Sequence, residues 1–254
     1  MDAQSDISQR PLAVLCDGSR LAGGACIPPR SSGTVVLLHG IPSVNPPEPG
    51  DTGYPGFARA FAERGWAAVW ADMRAVRKSP GYFSIEGWVR DVRAIVDAAR
   101  ALEGAPSRPL ALVGSSAGGA VSVEAVARGA SVDALVLLAS PAAWLSFASV
   151  PKAGLQRITE DAGMAVHPDV VADPTAWAAE FDSVVPEQSI KSVRVPILVM
   201  HGTADDVVPV DHARRIGDAS GRADVRILEG VGHQLRREPG VVESIDEWLH
   251  KRLP

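Results

Sequence analysis

Apolar residues along this chain gather into short unbroken runs, each closed by glycine, proline or a polar turn cluster. Thr34–Leu38, Ala67–Ala71, Pro109–Val113, Ala134–Ala139, Pro196–Met200 and Val225–Leu228 are runs of this kind. They are too short for helices and rich in Val, Leu and Ala, which predicts buried strands. Between them the period changes to that of amphipathic helices. Phe57, Ala60 and Phe61 share one face of a helix over Tyr54–Arg64, which Gly65 stops. Val89, Val92, Ile95, Val96 and Ala99 line a helix over Ile85–Leu102, with Ser84 placed to cap it. Further helices are predicted over Ser116–Arg128, before Gly129, and over Val210–Ile216. A last one opens at Pro239, with Val241, Val242, Ile245, Trp248 and Leu249 as its apolar stripe. Arg10–Cys16 and Arg20–Pro28 read as an opening antiparallel hairpin around a two-residue turn at Gly18-Ser19.

Strands that are apolar throughout and alternate with helices imply a mostly parallel central sheet covered on both faces, the α/β class. The alternation lapses between Pro141 and Val195. There the prolines scatter among Trp144, Phe147, Trp177 and Phe181, and the expected content is one more sheet-packing helix with a small lid. No repeat or linker divides the chain, so residues 1–254 are expected to form a single domain carrying 141–195 as an insertion.

Composition narrows the function. With 254 residues, 46% of them hydrophobic, the chain can bury a sizeable core. A formal charge of -5 argues against a nucleic-acid partner. No apolar run spans a bilayer, because Glu124, Arg128 and Asp133 break the longest apolar region, and the polar N-terminus MDAQSDISQR does not read as a signal peptide. A cytoplasmic protein is expected. The turn at Gly18-Ser19 would set Cys16 opposite Leu21 and Cys26 opposite Pro11, too far apart to bridge, so both thiols should be free. There is no Cys-x-x-Cys, no His-Glu-x-x-His and no phosphate loop, hence no metal and no cofactor is expected. Nothing in the pattern signals an oligomeric state.

In an open parallel sheet, ligands bind at the carboxyl ends of the strands. His39-Gly40-Ile41-Pro42, Gly114-Ser115-Ser116-Ala117-Gly118, His201-Gly202-Thr203-Ala204-Asp205-Asp206 and Glu229-Gly230-Val231-Gly232-His233 all follow strands. A serine, an aspartate and a histidine therefore reach one edge of the sheet, in that order. Gly114-x-Ser116-x-Gly118 is the pattern of a sharp strand-to-helix turn. A Cβ two residues before or after the serine would crowd the neighbouring strand and helix, and the tight turn lifts the hydroxyl above the sheet. The helix N-terminus behind it favours a developing negative charge.

On these four loops the chain resembles an α/β-hydrolase over nearly its whole length. The nearest groups are the small esterases and the serine-aminopeptidase-like and dienelactone-hydrolase-like members. The resemblance implies a nucleophile at Ser116, a general base at His233 and an orienting acid at Asp205, with Asp206 the alternative acid. The oxyanion would be held by the backbone N–H groups of Ile41 and Ala117, since Pro42 has none to offer. His39 and His201 open His-Gly turns and read first as turn-shaping residues. The activity implied is hydrolysis of a small-molecule ester or related acyl substrate. A thioesterase or peptidase with the same triad is the first alternative, and a non-catalytic ligand-binding protein the second. An acidic group in the lid, Glu160, Asp161, Asp169 and Asp173, leaves room for gripping a substrate amino terminus.

The chain also departs from the family. Where members often read Asp-x-Arg-Gly-x-Gly-x-Ser, it has Asp72-Met73-Arg74-Ala75-Val76-Arg77-Lys78-Ser79, with both glycines replaced. Arg77 and Lys78 thus stand near the mouth of the expected pocket as a binding site for an anionic substrate or as two solvated charges. The proline-rich loop Ile41–Gly53 is expected to form one wall of the site and the 141–195 segment the other, with Trp144, Phe147 and Trp177 as apolar substrate-binding residues.

Overall fold

The computed structural model describes residues 6–144 and 149–254. Its strands are β1 (Ser8–Cys16), β2 (Ser19–Ile27), β3 (Gly33–Leu38), β4 (Trp66–Ala71), β5 (Leu110–Ser115), β6 (Ala134–Leu138), β7 (Ile197–Gly202) and β8 (Asp224–Leu228). They form an eight-stranded sheet in the order β1-β2-β4-β3-β5-β6-β7-β8. β1 and β2 run antiparallel at one end, and every pair from β4 to β8 is parallel. This is the α/β-hydrolase fold.

Strands β3 to β7 are buried on both faces because helices cover both, whereas β8, expected to be buried, lies at the sheet edge and leaves Val225 and Ile227 exposed. Val35, Leu37, Ala111, Val113 and Met200 pack beneath α1 (Gly53–Ala62) and α9 (Val241–Arg252). Val36, Leu38, Leu112, Leu137 and Val199 face α2 (Ile85–Arg100), α3 (Ala117–Ala127) and α8 (Asp211–Ser220). Ser84 caps α2 as expected, its Oγ accepting from Gly87 N–H at 2.9 Å. α3 is buried on nearly every side, which its run of glycine, alanine and valine allows. Among the described residues no helix is long and apolar enough to cross a membrane.

Three more expectations shift. The hairpin turns at Asp17-Gly18, one residue earlier than predicted, with φ of 49° and 75° at the two positions; a two-residue turn matched to strand twist needs both positive, and Asp-Gly supplies that. Cys16 therefore pairs with Ser19 and Cys26 with Gln9. Both cysteines are buried and free. The last helix begins at Val241, not Pro239, because Gly240 sits in the left-handed region at its N-cap. α8 runs on to Ser220, past Gly217, and stops at left-handed Gly221.

The 141–195 segment breaks into short pieces. α4 (Pro151–Gln156) continues into a π-helical turn, Arg157–Asp161, followed by α5 (Pro168–Ala172), α6 (Thr175–Ser183) and α7 (Pro186–Ser189). Among these pieces, four-residue α7 lies against α3 and α8. Prolines at the starts of α4, α5 and α7 punctuate the run and keep each piece short.

Candidate active site

Ser116 lies between β5 and α3 at φ 52° and ψ -127°, a conformation that non-glycine residues rarely hold. Such strain is worth about 1–3 kcal/mol and persists only where surroundings enforce it. The glycines around it are that enforcement. A Cβ on Gly114 would fall 2.6 Å from Gly119 Cα, and one on Gly118 would fall 2.2 Å from His39 O. A Cβ on Gly40 would fall 2.7 Å from Ser116 Cβ, so the turn after β3 rests directly on the serine.

His39 sets the direction of that turn. It is buried, and burial pushes its pKa down to about 4. Its Nε2 accepts from Met73 N–H at 2.9 Å, so Nδ1 carries the proton and donates to Gly40 O at 2.7 Å. The carbonyl of Gly40 and the N–H of Ile41 belong to one trans peptide and point opposite ways. Fixing the oxygen toward His39 therefore turns the Ile41 N–H to the other side. Ala117 is the first residue of α3, and its N–H has no carbonyl within the helix to bond.

The loops after β7 and β8 are laced together. Thr203 N–H donates to Leu228 O and Ala204 N–H to Val231 O, both at 2.9 Å. Gly202 permits the approach, since a Cβ there would fall 2.0 Å from Val231 O. This brings Asp205 to His233. Asp205 Oδ2 accepts from His233 Nδ1 at 2.8 Å, and its Oδ1 accepts from the N–H groups of Val207 at 2.9 Å and Val208 at 2.8 Å. Burial alone would raise the pKa of this fully enclosed carboxyl. The bonds from His201, His233 and Val208 outweigh burial and hold it well below the usual carboxylate range. Asp205 is thus a fixed anion, and Nε2 of His233 keeps its lone pair. The neighbouring Asp206 is exposed.

Ser116 and His233 line one cavity of about 670 Å³, together with Ile41. The proline-rich loop forms much of its wall through Pro42, Ser43, Asn45, Pro46 and Pro47. The lid supplies Ala162 and Gly163, which reach the same loop: Val44 N–H donates to Asp161 O at 2.9 Å. Within that wall, Arg236 donates to both oxygens of Asp51 at 2.6 and 2.5 Å and stacks over the Tyr54 ring, while Arg237 pairs with Glu48. The loop beside Ile41 is thereby tied to the turn that follows His233.

Arg77 lines the cavity; Lys78 is exposed and does not. Ala75 and Arg77 keep positive φ, 63° and 48°, where the family places glycines. Arg77 pairs with Asp72, and the loop is anchored beneath by Arg74, whose guanidinium and N–H both engage fully buried Asp91.

Trp144 and Trp177 do not line the cavity. Trp177 is buried against Phe83 and Phe181, and Trp144 packs on Phe181 with its Nε1–H on Val184 O at 2.6 Å. Their apolar surface packs into the core under the lid. Phe147 lies outside the described residues. Two participants escaped the sequence reading, His201 beside Asp205 and Arg236 behind His233. The spacing of His201 four residues before Asp205 was the available signal for the first, and the pairing of Arg236-Arg237 with an acidic, proline-rich loop for the second.

A family model described as serine aminopeptidase, S33, matches residues 29–173. Among solved structures, DcsB in complex with its substrate analogue superposes with a TM-score of 0.74 at 19% identity, covering 97% of this chain and 100% of that one. Est1E from Butyrivibrio proteoclasticus with ferulic acid bound gives 0.71 at 20% identity, covering 95% and 98%. The Pyrococcus furiosus esterase Pf2001 gives 0.71 at 16% identity, covering 99% and 95%. At these identities the likeness speaks for the fold.

Proposed function

The chain belongs to the S33 serine aminopeptidase family of α/β-hydrolases, and on that premise we propose that it hydrolyses carboxylic esters of small to medium substrates through an acyl-enzyme on Ser116. In this reading Ser116 Oγ attacks the ester carbonyl while His233 Nε2 takes its proton. The oxyanion forms beside the N–H groups of Ile41 and Ala117. Collapse expels the alcohol, which leaves with the proton from His233. Water, activated by the same imidazole, then releases the acid. Asp205 holds the tautomer and stabilises the imidazolium.

The observation that carries this reading is the pairing of an ionised, enclosed Asp205 with His233 in a cavity shared with a strained serine. Esters are favoured over peptides by what surrounds that cavity. Glu160, Asp161, Asp169 and Asp173 do not line it, so among the described residues the lid offers no carboxylate there to grip a free amino terminus. Glu48 and Asp51 do line it, but arginines already engage both. One of the structural neighbours, Pf2001 from Pyrococcus furiosus, is an esterase. Arg77 carries a second, finer reading, in which the substrate bears an anionic group. Arg236 and Arg237 are offset by Asp51 and Glu48 within the cavity wall, whereas the partner of Arg77, Asp72, stands outside it.

Hydrolysis of p-nitrophenyl esters from acetate to longer acyl chains tests the assignment, with Ser116→Ala as the control. Turnover should fall at least ~1,000-fold in the variant while its melting temperature stays at or above that of the parent, since alanine removes a nucleophile and no packing. A variant that keeps most of its activity would sink the proposal.

A further inference from the structure

His201 is the last residue but one of β7 with its side chain wholly enclosed, and what its two nitrogens do differs sharply. Nε2 lies 2.8 Å from Val208 O and 3.1 Å from Asp205 Oδ2. Both neighbours are acceptors at all times, since Asp205 is ionised, so Nε2 carries the proton and shares it between them. Nδ1 is buried and has no hydrogen-bond partner among the described residues. A residue kept here for packing alone would be aliphatic, because an unpaired buried nitrogen costs desolvation that a leucine avoids. The imidazole is retained for the Nε2 side.

That side closes a ring of contacts. Val208 N–H donates to Asp205 Oδ1, and Val208 O accepts from the same Nε2–H that reaches Asp205 Oδ2. The turn from 205 to 208 is thus held from the carboxylate and from the backbone by one side chain rooted in the sheet. Of the two imidazoles on Oδ2, His233 sits on a loop and gains and loses a proton during the cycle proposed above; His201 does neither. We propose that His201 is a positioning residue whose Nε2–H fixes the rotation of the Asp205 carboxylate, so that Oδ2 stays presented to His233.

This inference rests on the Ser116–His233–Asp205 reading. The titratable groups around His201 are Asp205 on its own loop, His233 through that carboxylate, and His212 on α8. His212 is flanked by Asp211, Arg215 and Glu187. The Nδ1 of His212 accepts from Ala142 N–H at 2.9 Å and is not available to His201.

The test compares His201→Gln, His201→Asn and His201→Leu in the full chain, measuring kcat, KM, the acid limb of kcat/KM and the melting temperature with a p-nitrophenyl ester. A glutamine amide reaches where Nε2 sits; an asparagine amide reaches only the Nδ1 position. The expected result is kcat down at least ~10-fold in the Asn and Leu variants with KM within ~2-fold, and kcat within ~3-fold of the parent in the Gln variant. The acid limb should move to lower pH in the Asn and Leu variants and stay in place in the Gln variant, because a swung carboxylate no longer stabilises the His233 imidazolium. A merely structural histidine would instead give kcat values that follow melting temperature. Should the Leu variant fail to fold, the Gln and Asn pair decides, and equal losses in both overturn the proposal. A limb moving to higher pH in the Leu variant would mean that His201 only disperses charge on a well-placed carboxylate, which also overturns it. Asp205→Asn separates the two levels. If it keeps parental turnover, the triad reading falls and this inference with it; if it is inactive while His201→Leu is fully active, only the role of His201 falls.

Discussion

Single residues at this site are constrained by contacts of a few tenths of an ångström. Gly118 is a case in point, since any Cβ would fall 2.2 Å from the carbonyl oxygen of His39. Gly118→Ala should cost about 1–3 kcal/mol of stability and also displace the Gly40–Ile41 peptide, so that ester turnover falls by more than the folded fraction does. Urea unfolding beside a kcat measurement reads both effects. His39 gives a prediction in pH. Its folded pKa, pushed down to about 4 by burial, lies below the value of about 6.5 for an unfolded histidine. The unfolded chain therefore binds the extra proton first. The stabilisation is complete above about pH 6.5 and is lost as pH falls toward 4, by roughly 3 kcal/mol from this residue. His212, also lowered by burial, adds loss of the same sign. His39→Gln should flatten this limb in urea midpoints taken between pH 7.5 and 4.5.

At the scale of elements, the proline-rich loop and the turn after His233 behave as one unit because Asp51 and Arg236 join them. The Arg236 guanidinium beside Asp51 holds its pKa near about 2, and both side chains are largely buried. The stabilisation is present above about pH 3.9, is lost as pH falls through 2, and amounts to about 2 kcal/mol. Asp51→Asn should lower the melting temperature at pH 7 and much less at pH 2.5, which calorimetry at the two pH values would show. Elements of this kind mark the limit of what the sequence made legible. The strands, and the four loops that end them, could be read because glycines and polar residues interrupt apolar runs at fixed places. Ser116, Asp205 and His233 fell out of that order. The turn at Asp17-Gly18 was misplaced by one residue because Gly18-Ser19 carries nearly the same local signal. The side on which Trp144 and Trp177 pack could not be read, because a tryptophan facing a core and one facing a ligand have identical neighbours in sequence; only the sheet decides which way they turn. Trp177→Ala should accordingly cost about 3–5 kcal/mol of stability while leaving the acyl-length preference unchanged. A shifted chain-length optimum in that variant would return Trp177 to the site.

Over the whole molecule, the net charge of -5 conceals a cavity of the opposite tendency. Of the charged side chains that line it, Arg236 faces Asp51 and Arg237 faces Glu48, and those four offset one another across the wall. Arg77 remains. Its backbone holds a positive φ that costs on the order of 1 kcal/mol in an L-residue, at a place where glycine would hold it freely. Its carboxylate partner among the described residues, Asp72, engages a single nitrogen, leaving other guanidinium N–H groups for the cavity side. Because the side chain is half exposed, a charged contact there is worth only about 1 kcal/mol, or roughly 5-fold in kcat/KM. The matched pair that measures it is p-nitrophenyl hemisuccinate against p-nitrophenyl butyrate, alike in length and different in charge. The parent should favour the hemisuccinate by about that factor, the advantage should shrink as salt is raised, and Arg77→Gln should remove it without slowing the butyrate. Arg77→Gly sharpens the comparison, since relief of the strained φ should leave the variant at least as stable as the parent even as the preference disappears. Equal rates on both esters in the parent would assign Arg77 to the surface instead, with Asp72 as its whole purpose.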